Sequence, residues 1–146
     1  MEKGQPSTTG NERKEVVLKL FDAYLKEDLK RIKNLLTDDI RLVVNSYKPS
    51  LVREGIYEVL ELVQGIFNRA HITEINPHEI MSEENKVMVY LTEKGVWAKG
   101  APSAGDSYQG DRLHIYKIKN GKIMSAEYYL VNENPIPLPG SVNPGH

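Results

Sequence analysis

The spacing of apolar positions shifts from helical to alternating along the chain, and that shift divides it. From about Asn11, the residues Val16, Val17, Leu20, Phe21, Tyr24 and Leu25 recur at the i, i+3, i+4 spacing of one buried helical stripe. Asn11 is expected to cap this helix. Asp28 is placed to cap a second, short helix with Leu29, Ile32, Leu35 and Leu36 inward, closed by Thr37-Asp38-Asp39. The β-branched run from Ile40 to Asn45 reads as a strand. Tyr47 to Ser50 reads as a loop, because Pro49 has no N–H to give to a ladder. A third helix is predicted over Val52 to Asn68, with Ile56, Val59, Leu60, Val63, Ile66 and Phe67 on its apolar face.

From Ala70 onward the period becomes that of strands: HITEINPHEI, a polar SEEN turn, then KVMVYLTEKGVWAK. GAPSAGDSYQG, residues 100–110, reads as a loop leading into the clearest local signal, DRLHIYKIKNGKIMSAEYYL. Its Asn120-Gly121 supplies the positive backbone dihedrals of a tight hairpin turn. Alternation puts Arg112, His114, Tyr116 and Ile118 on one face of the first arm. On the second arm Met124, Ala126, Tyr128 and Leu130 oppose Ile123, Ser125, Glu127 and Tyr129, so of Glu127 and Tyr128 only one looks inward. Amphipathic aromatics on the inner face of a curved sheet suit a small-molecule pocket better than a plain core.

Helices followed by antiparallel strands are the pattern of an α+β domain with helices on one side of a sheet. Residues 1–10 are expected to be a polar tail and 11–131 a single domain. Residues 132–146, with Pro135, Pro137, Pro139 and Pro144, are expected to form an extended tail. No internal repeat is visible.

Composition narrows the function. The formal net charge of -1 comes from 19 basic and 20 acidic side chains without long blocks, which argues against nucleic-acid or membrane-surface binding. With no cysteine, thiol nucleophiles and cysteine-metal sites are excluded. No apolar run approaches the roughly 20 residues of a membrane span and the start lacks an apolar leader, so a cytoplasmic protein is expected. His71 and His78 are spaced for opposite strand faces, and no metal site is expected.

The order of EDLKRIKNLLTDDIRLVV, VREGIYEVLE and IYKIKNGKIMSAEYY resembles the SnoaL-like branch of the nuclear transport factor 2-like superfamily, over about residues 12 to 131. YQGDRLHIYKIKNGKI and the following EYY are more loosely similar to phenazine-biosynthesis A/B-type proteins. The resemblance implies a cone-shaped α+β barrel. In it, three N-terminal helices pack against a strongly curved, mostly antiparallel sheet around an apolar cavity, usually in a homodimer. It does not fix an activity, because this fold carries isomerases, cyclases, dehydratases, epoxide hydrolases and non-catalytic proteins.

The acids of two such mechanisms are missing. Where ketosteroid-isomerase-like members hold their base and oxyanion donors, this chain has Val44, Leu20 and His114. Where epoxide-hydrolase-like members hold a carboxylate pair and an arginine, it has Lys94, Val96 and Tyr128, unless Glu127 fills the last slot. His114 is therefore the leading candidate, since imidazole titrates near neutrality and can carry a proton; the plainer alternative is a packed core histidine. Tyr128 is a candidate oxyanion donor and Glu127 a candidate base. Tyr24, Tyr90, Trp97, Tyr116 and Val44 are expected to contact the ligand, with Arg112 or Lys94 available for a ligand carboxylate or for pairing with Asp111 and Glu93. The expected function is a cofactor-independent enzyme that isomerises, cyclises or dehydrates an apolar polyketide- or terpenoid-like molecule by proton transfer. The alternative is a non-catalytic ligand-binding or assembly protein of the same fold.

Overall fold

A computed structural model describes residues 9–46, 49–98 and 105–133. The polar tail up to residue 8 and the proline-rich segment from residue 134 lie outside these residues. Helix α1 spans Gly10–Leu25, α2 Leu29–Leu35 and α3 Ile56–Arg69; the strands are β1 Leu36–Val44, β2 Leu51–Glu54, β3 Ala70–Glu83, β4 Lys86–Trp97, β5 Ser107–Lys119 and β6 Lys122–Glu133. They form one curved sheet in the order β2-β1-β6-β5-β4-β3. All neighbours are antiparallel except β1 and β6, which run parallel. This is the expected α+β architecture, with the helices on the concave side.

Local chemistry sets the boundaries and corrects several expectations. The cap of α1 is Thr9, not Asn11. Its side chain accepts from the Glu12 N–H at 3.1 Å and the Glu12 carboxylate accepts from the Thr9 N–H at 2.7 Å, a reciprocal capping box. Asp28 caps α2 as expected, accepting from the Arg31 N–H at 3.1 Å. Thr37-Asp38-Asp39 belongs to β1, which starts at Leu36, so the strand follows α2 without a closing loop. The segment Leu51–Glu54 is an edge strand paired to β1, not the first turn of the third helix. Gly55, at φ +94°, breaks the chain there, and only from Ile56 do the buried positions Ile56, Val59, Val63 and Phe67 recur at helical spacing. Burying each of these side chains is worth about 1.5–3 kcal/mol, which holds α3 across the sheet.

Asn120 and Gly121, at φ 53° and 80°, make the β5–β6 hairpin turn that the dipeptide predicts. Alternation on β5 also holds: Tyr108, Arg112, His114, Tyr116 and Ile118 are buried on the concave face. On β6 a register shift beside Lys117 and Ile118 places Ile123 and Ala126 on the same buried face, against simple parity. Within residues 100–110, the expected loop gives way to strand at Ser107, which is where Tyr108 gains its place in the sheet. The core is the set of side chains shared by α1, α3 and the concave face, including Val17, Leu20, Phe21, Val59, Val87, Val89 and Leu91.

Candidate functional site

Above this core the helices and the sheet leave a cavity of about 160 Å³. Its walls are apolar: Leu62, Val63, Ile66 and Phe67 from α3, Val44 from β1, Ile72 and Ile75 from β3. Its polar lining is small and comes mainly from α1, α3, β4, β5 and β6. Tyr24 projects from α1, Arg69 from the end of α3, Glu93 from β4, Tyr108, Arg112 and His114 from β5, and Tyr128 from β6; Trp97 completes it.

His114 is 6 % exposed. Its Nδ1 lies 2.7 Å from the Tyr116 hydroxyl, its ring stacks on Tyr128 at 4.0 Å between centroids, and the edge of Phe21 closes a further side at 6.0 Å. Burial, and secondarily the charge of Arg112, push its pKa from 6.5 down to about 3. The ring is thus neutral at pH 7, which corrects the expectation of an imidazole titrating near neutrality. Tyr24 and Tyr128 join hydroxyls at 3.1 Å. Burial above all, and then the neighbouring phenol of Tyr128 beside Tyr24 and of Tyr116 beside Tyr128, raise both groups well above their usual range, so they too stay neutral. The inner end of the cavity is therefore furnished with uncharged hydrogen-bonding groups.

Glu93 occupies the next level. On β4 the concave face reads Val87, Val89, Leu91 and then Glu93, so alternation carries a carboxylate to the cavity. One of its oxygens accepts from the Tyr108 hydroxyl at 2.6 Å, the other from the Arg112 Nε at 3.4 Å. The pair is well shielded, with Glu93 16 % and Arg112 11 % exposed. Tyr108 reaches Glu93 because its cross-strand partner is Gly95: a Cβ there would lie 2.5 Å from the phenol oxygen. The Tyr108 ring lies over the glycine with Trp97 at 5.1 Å beyond it.

The structure brings His114, Tyr128, Tyr24, Arg112, Trp97 and Val44 to one cavity. It separates four other candidates from it. Tyr90 sits on the convex face, where its hydroxyl reaches Asp111 at 3.4 Å beside the His78 ring, because β4 parity turns it away from Glu93. Lys94 shares that parity and lies 3.9 Å from Glu74 across the β3–β4 ladder. Glu127 is on the convex side of β6, accepting from Tyr129 at 3.5 Å. Tyr116 is fully buried beneath His114 and is a support for the ring, not a wall of the cavity. Glu93 as a site residue, Tyr108 and Arg69 were missed. The first had a signal, an acid continuing an apolar alternating series.

A curved, mostly antiparallel sheet with its helices on one side encloses a largely apolar pocket with a few convergent polar groups, a cone-like α+β architecture. The chain belongs to the SnoaL-like domain family, whose model matches residues 17–126. Among curated proteins none matches the chain. Among solved structures it is similar to a LEH-like epoxide hydrolase of M. tuberculosis at 16% identity, covering 84% of this chain and 84% of that one with a TM-score of 0.71. It is equally similar, with a TM-score of 0.71, to a protein from Xanthomonas campestris assigned as a polyketide cyclase, at 15% identity over 84% of this chain and 92% of that one. A Kribbella flavida protein assigned as a ketosteroid isomerase matches at 10% identity and a TM-score of 0.65, covering 88% and 84%. At such identities the likeness is one of fold. Among the described residues no helix is long and apolar enough to cross a membrane.

Proposed function

We propose that this SnoaL-like protein is a cofactor-independent enzyme that isomerises, cyclises or dehydrates a small apolar substrate by proton transfer. One observation carries the reading: Glu93 is the one carboxylate lining the cavity among the described residues, and it shares that cavity with three neutral hydrogen-bonding side chains, His114, Tyr24 and Tyr128. A carboxylate has about four lone-pair sites, and Tyr108 and Arg112 occupy two, so Glu93 keeps capacity to take a proton from carbon. The oxygen of the developing enolate is then met by donors that carry no charge. With the sealed Tyr116 hydroxyl donating to Nδ1, the hydrogen of the neutral His114 ring sits on Nε2, and the Tyr24 and Tyr128 hydroxyls, joined to one another, support that end of the cavity. Glu93 returns its proton to a second carbon in an isomerisation, or to a departing hydroxyl as water in a dehydration.

A cavity of about 160 Å³ is close to the size that takes a benzene ring, about 150 Å³. That volume suits a monocyclic, terpenoid- or ketide-like compound. The rival reading is a protein that binds such a ligand without turning it over, and it draws on the engagement of both Glu93 oxygens. Deuterium uptake from D₂O at the carbon next to the carbonyl of monocyclic terpenoid ketones tests both. The wild type is expected to catalyse uptake, and Glu93→Gln to slow it by about 10²–10⁴-fold while still binding the ketone. Equal rates in the two proteins would remove Glu93 from the mechanism; tight binding with no uptake by the wild type supports the rival.

A further inference from the structure

We propose that Arg69 anchors a carboxylate on the ligand, so that the substrate is an apolar acid held by its charged end at the mouth of the cavity. This inference rests on the reading of the cavity as the substrate site. Three formally charged side chains line the cavity among the described residues: Arg69, Arg112 and Glu93. Arg112 and Glu93 answer each other at 3.4 Å inside the protein. His114 adds no charge, being held neutral by burial. Arg69 is left over. Among the described residues its guanidinium has neither an ion pair nor a hydrogen bond, although the chain is rich in acids that pair with other surface cations such as Lys26, Arg31 and Arg41.

An unpaired guanidinium on an otherwise apolar wall gives the cavity a net positive charge, and low-dielectric walls focus that field on whatever enters. The anion expected is a carboxylate, because a single planar guanidinium offers paired N–H donors that match two carboxylate oxygens.

The position is built rather than incidental. Arg69 is the last residue of α3, and its carbonyl accepts from the Ala98 N–H at 2.7 Å, which ties the helix end to the strand pair at the level of Trp97. In register, Ala70 pairs with Trp97, Tyr108 with Gly95 and His114 with Val89, so the sheet orders the polar groups along the cavity. Arg69 and Trp97 lie at one end, Glu93 and Tyr108 between, and His114 with Tyr128 at the other. With the acid at Arg69, the apolar remainder of the ligand extends inward along the wall that carries Glu93, the group that takes the substrate proton. The sequence suggested Arg112 or Lys94 for such a carboxylate; the first is engaged by Glu93 and the second turns outward to Glu74.

The test is calorimetric binding of three matched probes to the full chain: 4-phenylbutyrate, its uncharged amide and 4-phenylbutylamine. The acid is expected to bind about tenfold or more tighter than the amide, and the amine weakest. In Arg69→Gln, shown to fold by its melting curve, acid and amide should bind alike, while Arg69→Lys restores part of the preference. The acid's advantage should also shrink as salt is raised. An amide that binds as well as the acid, or a preference that persists in Arg69→Gln, overturns the anchor and leaves the cavity as a binding site. If none of the three binds, both the anchor and the substrate site fall.

Discussion

A buried histidine that stays neutral makes stability depend on pH in a way that can be worked out in advance. His114 has a pKa of about 3 in the fold against 6.5 as the ordinary value. Between those limits the unfolded chain takes up a proton that the folded chain refuses, so acid favours unfolding. The stabilising effect is complete above pH 6.5 and is lost as pH falls towards 3. The slope approaches about 1.4 kcal/mol per pH unit, so lowering the pH from 6.5 to about 4 removes roughly 3 kcal/mol, a large part of a typical domain's 5–15. Urea unfolding followed through Trp97 fluorescence from about pH 7.5 to about pH 4 reads this directly. The comparison is with His114→Asn, which keeps a polar group towards Tyr116 and does not titrate. Carboxylates common to both proteins cancel in the difference, so wild type minus variant should fall by roughly 3 kcal/mol over that range. A flat difference would refute the neutral, sealed imidazole, and with it the uncharged donor assigned to the inner end of the cavity.

Two further substitutions probe the frame around the site. Gly95→Ala puts a methyl group into the Tyr108 ring, 2.5 Å from its hydroxyl oxygen. It should destabilise by about 1–3 kcal/mol and displace the phenol from Glu93, visible as a changed Tyr108 rotamer in a crystal structure of the variant. Thr9→Ala breaks the capping box of α1 and should lower stability by about 1 kcal/mol with no change in ligand binding, measured by denaturant midpoint and calorimetry.

How much of this was legible from residues alone follows the physics of each element. The hairpin turn was fully written in Asn120-Gly121, because no other pair so readily takes two positive φ angles. The inward face of β5 was equally plain, since a two-residue period over a long strand leaves only two choices of face. Extending that period backwards by four residues would have reached Tyr108, but the glycine-rich stretch before it hid the strand start. In sequence β2 reads as helix because Val52 fits the apolar spacing of α3; the break depends on Gly55 alone. Glu93 was read as a surface partner for a neighbouring cation because single-sequence reasoning treats a charged residue as solvated, and burial next to Arg112 is a tertiary fact. The neutrality of His114 likewise comes from Phe21 and Tyr128, which approach it from α1 and β6. Arg69 carries no local signal at all, since its isolation depends on which acids fail to come near.

The parallel pairing of β1 with β6 bears on how the chain is made. Leu36–Val44 emerges early in synthesis, yet its central neighbour, Ile123–Tyr128, is among the last parts of the domain to appear. Until then the β1 edge of the β1–β2 ribbon has no partner to cover it, and contacts between such distant segments are slow to form. Final assembly therefore waits for β6, and a chain truncated before Lys122 should be held by chaperones or degraded instead of accumulating as a folded fragment.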